Sequence, residues 1–260
     1  MLSNVKISES VPAEIRRGQL ERRVAERGFL RVSDAALELG VSSVTVRADL
    51  AALSAEGRVQ RVHGGAMPIV AVGESSFEAN VGNEAVAKRA IGRAAAGLVA
   101  SGNSVLLDVG STALAVAHAL VDRHDLTDVL VITNGLTIAL ALEAAMPRFT
   151  IVVTGGTLRP LQHSLVSPFA MLDLLRTDIA FIGCNGVDVK HGVTNINLPE
   201  AEVKRRMVAS SKRAVVIADG SKLGAVSLGL IGSLDEFDSI VTTGDTTALE
   251  GSRVNVVNAT

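Results

Sequence analysis

The 260-residue chain has no tryptophan, no tyrosine and only six phenylalanines, so aromatic residues make up 2% of it. Its core must therefore be aliphatic, and nucleic-acid recognition that stacks bases on aromatic rings is excluded. A single cysteine, Cys184, rules out an intramolecular disulfide and a cysteine-based zinc cluster. The five histidines, His63, His118, His124, His163 and His191, show no metal-ligand spacing, so no metal is expected. No run of about 18 uncharged apolar residues occurs. The opening MLSNVKISES lacks the apolar stretch of a secretory signal, and a cytoplasmic location is the expectation. Neither G-x-x-x-x-G-K-S/T nor G-x-G-x-x-G is present, which removes the signals of nucleoside-triphosphate and dinucleotide sites.

Hydrophobic residues amount to 48% and the mean hydropathy is +0.37, ample for a buried core. The net charge of −2 is unevenly spread. Residues 1–67 carry ten Lys and Arg against eight Asp and Glu, and the remainder carries fifteen against nineteen. So small a local excess says little about a polyanionic partner; the placement of the charges matters more.

Residues 1–67 read as three short helices and a hairpin. In AEIRRGQLERRVAERG (13–28), Ile15, Leu20, Val24 and Ala25 fall near one helical face, and Gly28 marks a stop. Ser33 is placed to cap a second helix that ends at Gly40. Ser42 is placed to cap a third that runs to Glu56 before Gly57, with Val44, Leu50 and Leu53 facing inward. RVQRVHGGA follows with alternating valines and a Gly-Gly turn. Two helices, a tight turn and another helix form the helix-turn-helix plan, and the hairpin would be its wing. Early positions on such a third helix face base edges and phosphates, which makes Ser42, Ser43, Thr45, Val46 and Arg47 candidate DNA contacts. Arg58, Arg61 and His63 on the wing join them. An arginine-rich solvated surface and a merely structural serine cap are the alternative.

Residues 68–84, with Pro, Gly, Ser and Asn and poor periodicity, read as a linker. From 85 to 260 short β-branched runs (SVLLDV, DVLVIT, RFTIVVT, DIAFIG, RAVVIAD, SIVTT) alternate with helical segments, predicting a mostly parallel α/β sheet covered on both faces. Ligands of such sheets bind beyond the carboxyl ends of strands. Those ends here hold Asp108, Gly110, Ser111, Thr112, Thr133, Asn134, Thr154, Gly155, Gly156, Asn185, Gly186, Asp219 and Lys222. Glycines admit an anion to backbone N–H groups, hydroxyls add donors, and a helix start adds partial positive charge. The convergence describes a small polar phosphate pocket with Lys222 as counter-ion. Singly, each feature reads equally as a cap or turn, and Glu200 with Lys204 as an i,i+4 surface pair. Cys184, at an apolar strand end, reads as packing, and Ser111 has no companion His–Asp set.

The segment VSSVTVRADLAALSAEGRVQRVHGGA (41–66) resembles the signature of the DeoR family of bacterial transcription regulators. Ser42, Thr45, Val46, Arg47, Asp49, Leu50, Gly57, Arg61, His63, Gly64, Gly65 and Ala66 carry the likeness, whereas Ala48 stands where a second arginine is frequent. From about Lys88 to Gly244 the succession DVGSTA, TNG, TGG, GCNGVD, EAEVKRRM, ADGSKLG is similar to that family's effector domain, with Asn80 departing from a frequent arginine. The resemblance implies a winged helix-turn-helix joined to a sheet domain similar to ribose-5-phosphate isomerases. It implies an effector rather than a cofactor, a phosphorylated sugar or related metabolite. Gly110, Ser111 and Thr112 would hold phosphate, and Asn134, Gly156, Glu200, Lys204 and Lys222 would surround the sugar. The implied protein is a regulator, a repressor by expectation, that binds double-stranded operator DNA as a homodimer or higher oligomer. Two alternatives stand beside it: a sugar-phosphate isomerase with an appended helical domain, using Glu200, Asp219 and Lys222 for proton transfer, and a scaffold whose helices engage protein.

Overall fold

The computed structural model describes residues 12–27, 30–55, 58–62, 64–68, 76–166 and 170–260. The chain divides into two compact units, Met1–Gly73 and Glu74–Thr260.

The first unit contains α1 (Ala13–Arg27), β1 (Leu30–Arg31), α2 (Val32–Leu39), α3 (Ser43–Ala55), β2 (Val59–Val62) and β3 (Gly65–Pro68). Leu20, Val24, Leu30, Ala35, Val46, Leu50, Leu53 and Val59 form its aliphatic core. Gly40 ends α2 in the left-handed conformation at φ 63°, which a glycine adopts without steric cost. The turn between β2 and β3 holds Gly64 at φ 80°, and the strands pair antiparallel with Arg61 opposite Ala66. β1 adds a third strand that the sequence reading did not contain, pairing Leu30 with Ala66.

Several expectations are corrected. Ser33 lies inside α2, after an N-cap at Arg31, and its hydroxyl bonds Asp34 instead of capping. Ile15 is exposed. Val44 is exposed by 71% and Val46 is wholly buried, so the inner face of α3 runs through Val46, Leu50 and Leu53. That is i, i+4, i+7 spacing, and a residue two places away, such as Val44, falls on the opposite side. Gly28, Glu56, Gly57 and His63 lie outside the described residues.

In the second unit, α4 (Phe77–Gly82) and α5 (Ala85–Ala96) precede β4 (Ser104–Leu107), α6 (Ser111–Val121), β5 (Val129–Thr133), α7 (Leu136–Leu142) and β6 (Phe149–Val153). The hairpin β7 (Thr157–Arg159) and β8 (Ser164–Val166) and a short α8 (Ala170–Asp173) lead to β9 (Ile179–Gly183). Then come β10 (Gly186–Asp188), β11 (Gly192–Asn195), α9 (Leu198–Ala209), β12 (Ala214–Ile217), β13 (Gly229–Gly232), β14 (Ser239–Thr242) and β15 (Asn255–Asn258).

Seven strands form one sheet in the order β15-β14-β12-β9-β4-β5-β6, with every neighbouring pair parallel. One apolar cluster, including Ile91, Val116, Leu120, Val131 and Phe181, packs on one face. A second, including Leu106, Ile182, Met207, Val216 and Ile240, packs on the other. Burial on both faces explains why these strands are continuous apolar runs. The order reverses direction around β4 and β9, so the loops after them open a crevice at the carboxyl edge. A small antiparallel sheet, β10-β11-β13, stands apart from the main one. The stretch read as a linker, 68–84, contains α4, capped by Ser76 and anchored by buried Phe77. Among the described residues no helix is long and apolar enough to cross a membrane.

Candidate functional site

Two regions hold the residues singled out above. On α3, the Ser42 hydroxyl accepts the Thr45 N–H at 3.1 Å and lies 2.8 Å from the Thr45 hydroxyl, so both serve the helix start. Ser43, Val44, Arg47 and Ala48 lie toward solvent to differing degrees, with Arg47 exposed. Val46 cannot touch DNA: it is 0% exposed in the core of this unit, and Val44 occupies the outward position instead.

The inner side of α3 is held by a residue to which the sequence reading gave no role. Asp49 is buried, and its carboxylate accepts Arg16 Nε at 2.5 Å, Arg16 Nη2 at 3.2 Å and Arg17 Nε at 3.3 Å. A carboxylate with both oxygens engaged by two guanidiniums ties α3 to α1 and fixes which side of α3 faces outward. An aspartate between Val46 and Leu50, in phase with the apolar face, was the available signal. On the wing, Arg61 is exposed. Arg58 pairs with Glu21, its Nε donating at 3.1 Å, so part of its charge is already balanced.

The second region lies at the carboxyl edge of the seven-stranded sheet. Asp108, directly after β4, is fully buried; its Oδ2 accepts the Gly183 N–H at 2.8 Å and meets the Lys204 ammonium from α9. Lys204 is itself buried. Burial pushes Lys204 down, but the charges of Asp108 and Glu200 outweigh it, so its pKa lies above the ordinary lysine value. Burial is the largest influence on Asp108 and raises its carboxyl, against the pull of Lys204. Glu200, one turn earlier on α9 and also buried, accepts the Ser164 hydroxyl at 2.7 Å and pairs with Arg159. Glu200 and Lys204 are thus no exposed surface pair; each is held by a different strand or hairpin.

Among the described residues three buried side-chain oxygens have no hydrogen-bond partner, Asp108 Oδ1, Asn134 Oδ1 and, at the end of β14, Thr242 Oγ1; the first two follow the neighbouring strands β4 and β5. Asn134 is otherwise fixed by its Nδ2, which donates to Leu165 O at 3.1 Å. Buried polar atoms are nearly always bonded, so each orphaned oxygen is a place that water or a ligand hydroxyl can fill. Between Asp108 and Asn134 in sequence, Gly110 at φ 105° starts α6, and no side chain caps that helix. The N–H groups of its first turn are therefore open to an anion.

The remaining expected residues divide. Thr133 spends its hydroxyl on Gly135 N–H at 3.0 Å, and Asn185 spends its Oδ1 on Ile196 N–H at 3.0 Å, so both shape turns. Gly155 and Gly156, at φ 73° and 129°, are exposed and lead the chain from β6 into the β7–β8 hairpin. Lys222 is half-buried and Asp219 binds Ser221. Burial pushes the Cys184 thiol up to about 12, with Lys204 and Lys222 pulling against it and Asp219 and Asp108 adding to it. So high a value keeps the thiol protonated and unreactive at neutral pH.

Residues that sequence reasoning missed are Lys88, Arg159 and Ser164. Lys88 is buried, donating to Asn80 O at 2.7 Å and Asn83 O at 2.6 Å. Burial lowers its pKa, Asp219 opposes that and Lys222 adds to it. Its position on the α5 face shared with Ile91 and Ala95 was the signal. Strand β8 supplies Ser164 and also Leu165, whose carbonyl accepts from Asn134. No group of three or more His, Cys, Asp or Glu suited to a metal occurs among the described residues.

The model of the DeoR-like helix-turn-helix domain matches residues 16–70, and that of the DeoR C terminal sensor domain matches 83–244. The HTH-type transcriptional regulator GlpR of Haloferax volcanii is 35% identical over 95% of this chain and 98% of its own. The HTH-type transcriptional repressor CsqR of Escherichia coli is 31% identical over 87% of this chain and 86% of its own. The glycerol-3-phosphate regulon repressor of Escherichia coli is 28% identical, covering 84% and 86%. Ribose 5-phosphate isomerase A from Methanocaldococcus jannaschii superposes with a TM-score of 0.41 at 20% identity, over 54% of this chain and 55% of that one. The curated relatives are regulators, which decides against the isomerase left open by the residues. The chain belongs to the DeoR family of transcription regulators, with an N-terminal DNA-binding helix-turn-helix and a C-terminal sensor domain.

Proposed function

We propose that the protein is a repressor that holds operator DNA with α3 and its wing and is controlled by a phosphorylated sugar in the pocket at the carboxyl edge of the sensor sheet. The observation that carries the second half is the pair of orphaned acceptors, Asp108 Oδ1 and Asn134 Oδ1, flanking the uncapped start of α6. Sugar hydroxyls donate to such oxygens, and a phosphate suits the open N–H groups of Gly110, Ser111 and Thr112. Lys204 is neutralised by Asp108, which leaves Lys222 as the nearby cation for the phosphate charge. A relative named for a glycerol-3-phosphate regulon accords with this ligand class.

On the DNA side, Arg47 is the base-reading donor, Ser43 and Arg61 reach phosphates, and Val44 offers methyl groups to a thymine methyl. The operator half-sites of a two-fold dimer, or of a higher oligomer, would lie whole helical turns apart. The test is duplex binding by fluorescence anisotropy across a salt series, using a duplex selected by the protein from random sequence. Affinity falls steeply as salt rises. Arg47→Ala costs about 1–3 kcal/mol on the selected duplex and much less on an unrelated one. Equal losses on both would remove Arg47 from base reading, and no salt-dependent binding would end the proposal.

A further inference from the structure

One hairpin fastens the pocket to the helix that follows the linker. Its strands belong to the pocket: Ser164 and Arg159, opposite each other beside the turn, bind Glu200, and Leu165 exchanges bonds with Asn134, its N–H donating to Asn134 O at 2.8 Å. At its tip, residues 161–163 hold α4. The Phe77 N–H donates to Leu161 O at 2.9 Å. The rings of Phe77 and His163 lie 5.6 Å apart, and His163 Nε2 is 3.3 Å from the Glu78 carboxylate.

His163 is the residue on which these parts converge, since its carbonyl also accepts the Leu136 N–H at the start of α7. It adopts φ 50°, a left-handed conformation that costs a non-glycine residue about 1 kcal/mol or more and persists only where surroundings enforce it. The far end of α4 is held by the Lys88 ammonium on the carbonyls of Asn80 and Asn83. Along its side, α4 is not closely packed. A groove of about 270 Å³ separates Val81 from Leu114 and Ala115 of α6 and reaches Ser111 at the edge of the pocket. The helix is thus pinned at both ends and has room beside it.

We propose that the β7–β8 hairpin is the relay between pocket and linker, with Phe77 and His163 as positioning residues. A ligand that donates to Asn134 Oδ1, or draws on the groups around Glu200, re-seats the Arg159–Ser164 pair beside the hairpin turn. The tip then carries α4 along the groove, and α4 is the element through which the chain enters the sensor domain. The relay rests on the pocket reading only for the source of the signal.

Amide hydrogen exchange on the full chain tests it. Ser164→Ala, which removes the hydroxyl bond to Glu200 beside the hairpin turn, raises exchange of the 77–83 amides by about threefold or more and leaves the 111–121 amides unchanged. Unchanged exchange at 77–83, or an equal rise throughout the domain, overturns the relay without any ligand being needed. Pentose and hexose phosphates then serve as probes. A probe that protects 108–112 and alters exchange at 77–83 supports the relay; one that protects 108–112 alone overturns it while sparing the pocket. If no probe protects 108–112, the pocket reading fails and the Ser164→Ala result still decides the relay. For a protecting probe, His163→Ala with Phe77→Ala retains its affinity but loses its effect on duplex binding. Retention of that effect also contradicts the relay.

Discussion

Asp49 and Asp108 are both buried aspartates facing basic side chains, one in each unit, and they differ in what is left over. Asp49 has both oxygens engaged by Arg16 and Arg17. Asp108 places Oδ2 against Lys204 and the Gly183 N–H and leaves Oδ1 unbonded. A saturated carboxylate is a brace: it fixes α3 on α1 and has nothing to offer a ligand. An unsaturated one bears the cost of burial without full compensation and keeps an acceptor that a donor from outside the chain can use. The same contrast separates Thr133 and Asn185, whose polar atoms are consumed locally, from Asn134, whose oxygen is not.

The comparison is broken most forcefully by removing one member of each pair. Asp49→Ala strands a buried guanidinium and costs the first unit about 3–5 kcal/mol. Chemical denaturation then shows an early transition of that unit and loss of duplex binding, while the sensor domain keeps its midpoint. Lys204→Met strands Asp108 and costs the sensor domain a similar amount, about 3–5 kcal/mol, at neutral pH. Here pH adds a signature. Burial already raises the Asp108 pKa and Lys204 opposes that rise, so without Lys204 it climbs further. A carboxyl whose folded pKa exceeds its unfolded value gains folding stability as pH falls. The deficit of Lys204→Met therefore shrinks as pH is lowered from 7 toward 5, whereas a pH-independent deficit would mean that Asp108 carries no buried charge.

The inner and outer faces of α3 sharpen the contrast at lower energy. Val46→Ala costs about 1–3 kcal/mol of stability, because it empties space in the core of the first unit. Val44→Ala changes stability by less than about 0.5 kcal/mol, and its effect is confined to the duplex. The reverse order in a denaturant titration would restore the inward placement of Val44. Smaller than the Val46 loss is the contribution of Asp178, which accepts from Ser104 and Lys212 and is held at about 2, the Lys212 bond being the largest cause. Its folded pKa lies below the unfolded one, so its share of stability is present above about pH 4 and disappears as pH falls toward 2. Because the site is partly exposed, Asp178→Asn costs about 1 kcal/mol at pH 7, and the difference from the parent vanishes near pH 2.

Much of this was legible in the sequence where one residue type has one physical use. The doubly buried strands show as β-branched runs, and Gly110, Ser111 and Asn134 stand out because their types suit strand ends, whereas Lys204 reads as half of an i,i+4 pair and enters the pocket only through the family resemblance. Val46 falls in the first turns of α3, where the helix-turn-helix plan expects base-facing positions, although its spacing to Leu50 and Leu53 puts it in the core. α4 escaped notice because FEANVG has a glycine and two poor helix formers. It is helical through the burial of Phe77, a tertiary effect that propensity does not contain. The β7–β8 hairpin is three residues a side around Pro160, too short for alternation to register. β10, β11 and β13 are similarly brief and glycine-bounded. The unbonded oxygens of Asp108 and Asn134 are a property of packing and are visible in no linear pattern.

The most direct measurement of the central claim is a titration of the selected duplex in the presence of saturating sugar phosphate, for the parent chain and for Thr112→Val. One phosphate ester shifts the parent's duplex affinity by about 5–150-fold, while Thr112→Val binds the duplex equally well and responds only at much higher ester concentration. A duplex affinity that no phosphorylated sugar alters, or a Thr112→Val dose-response identical to the parent's, would contradict the account.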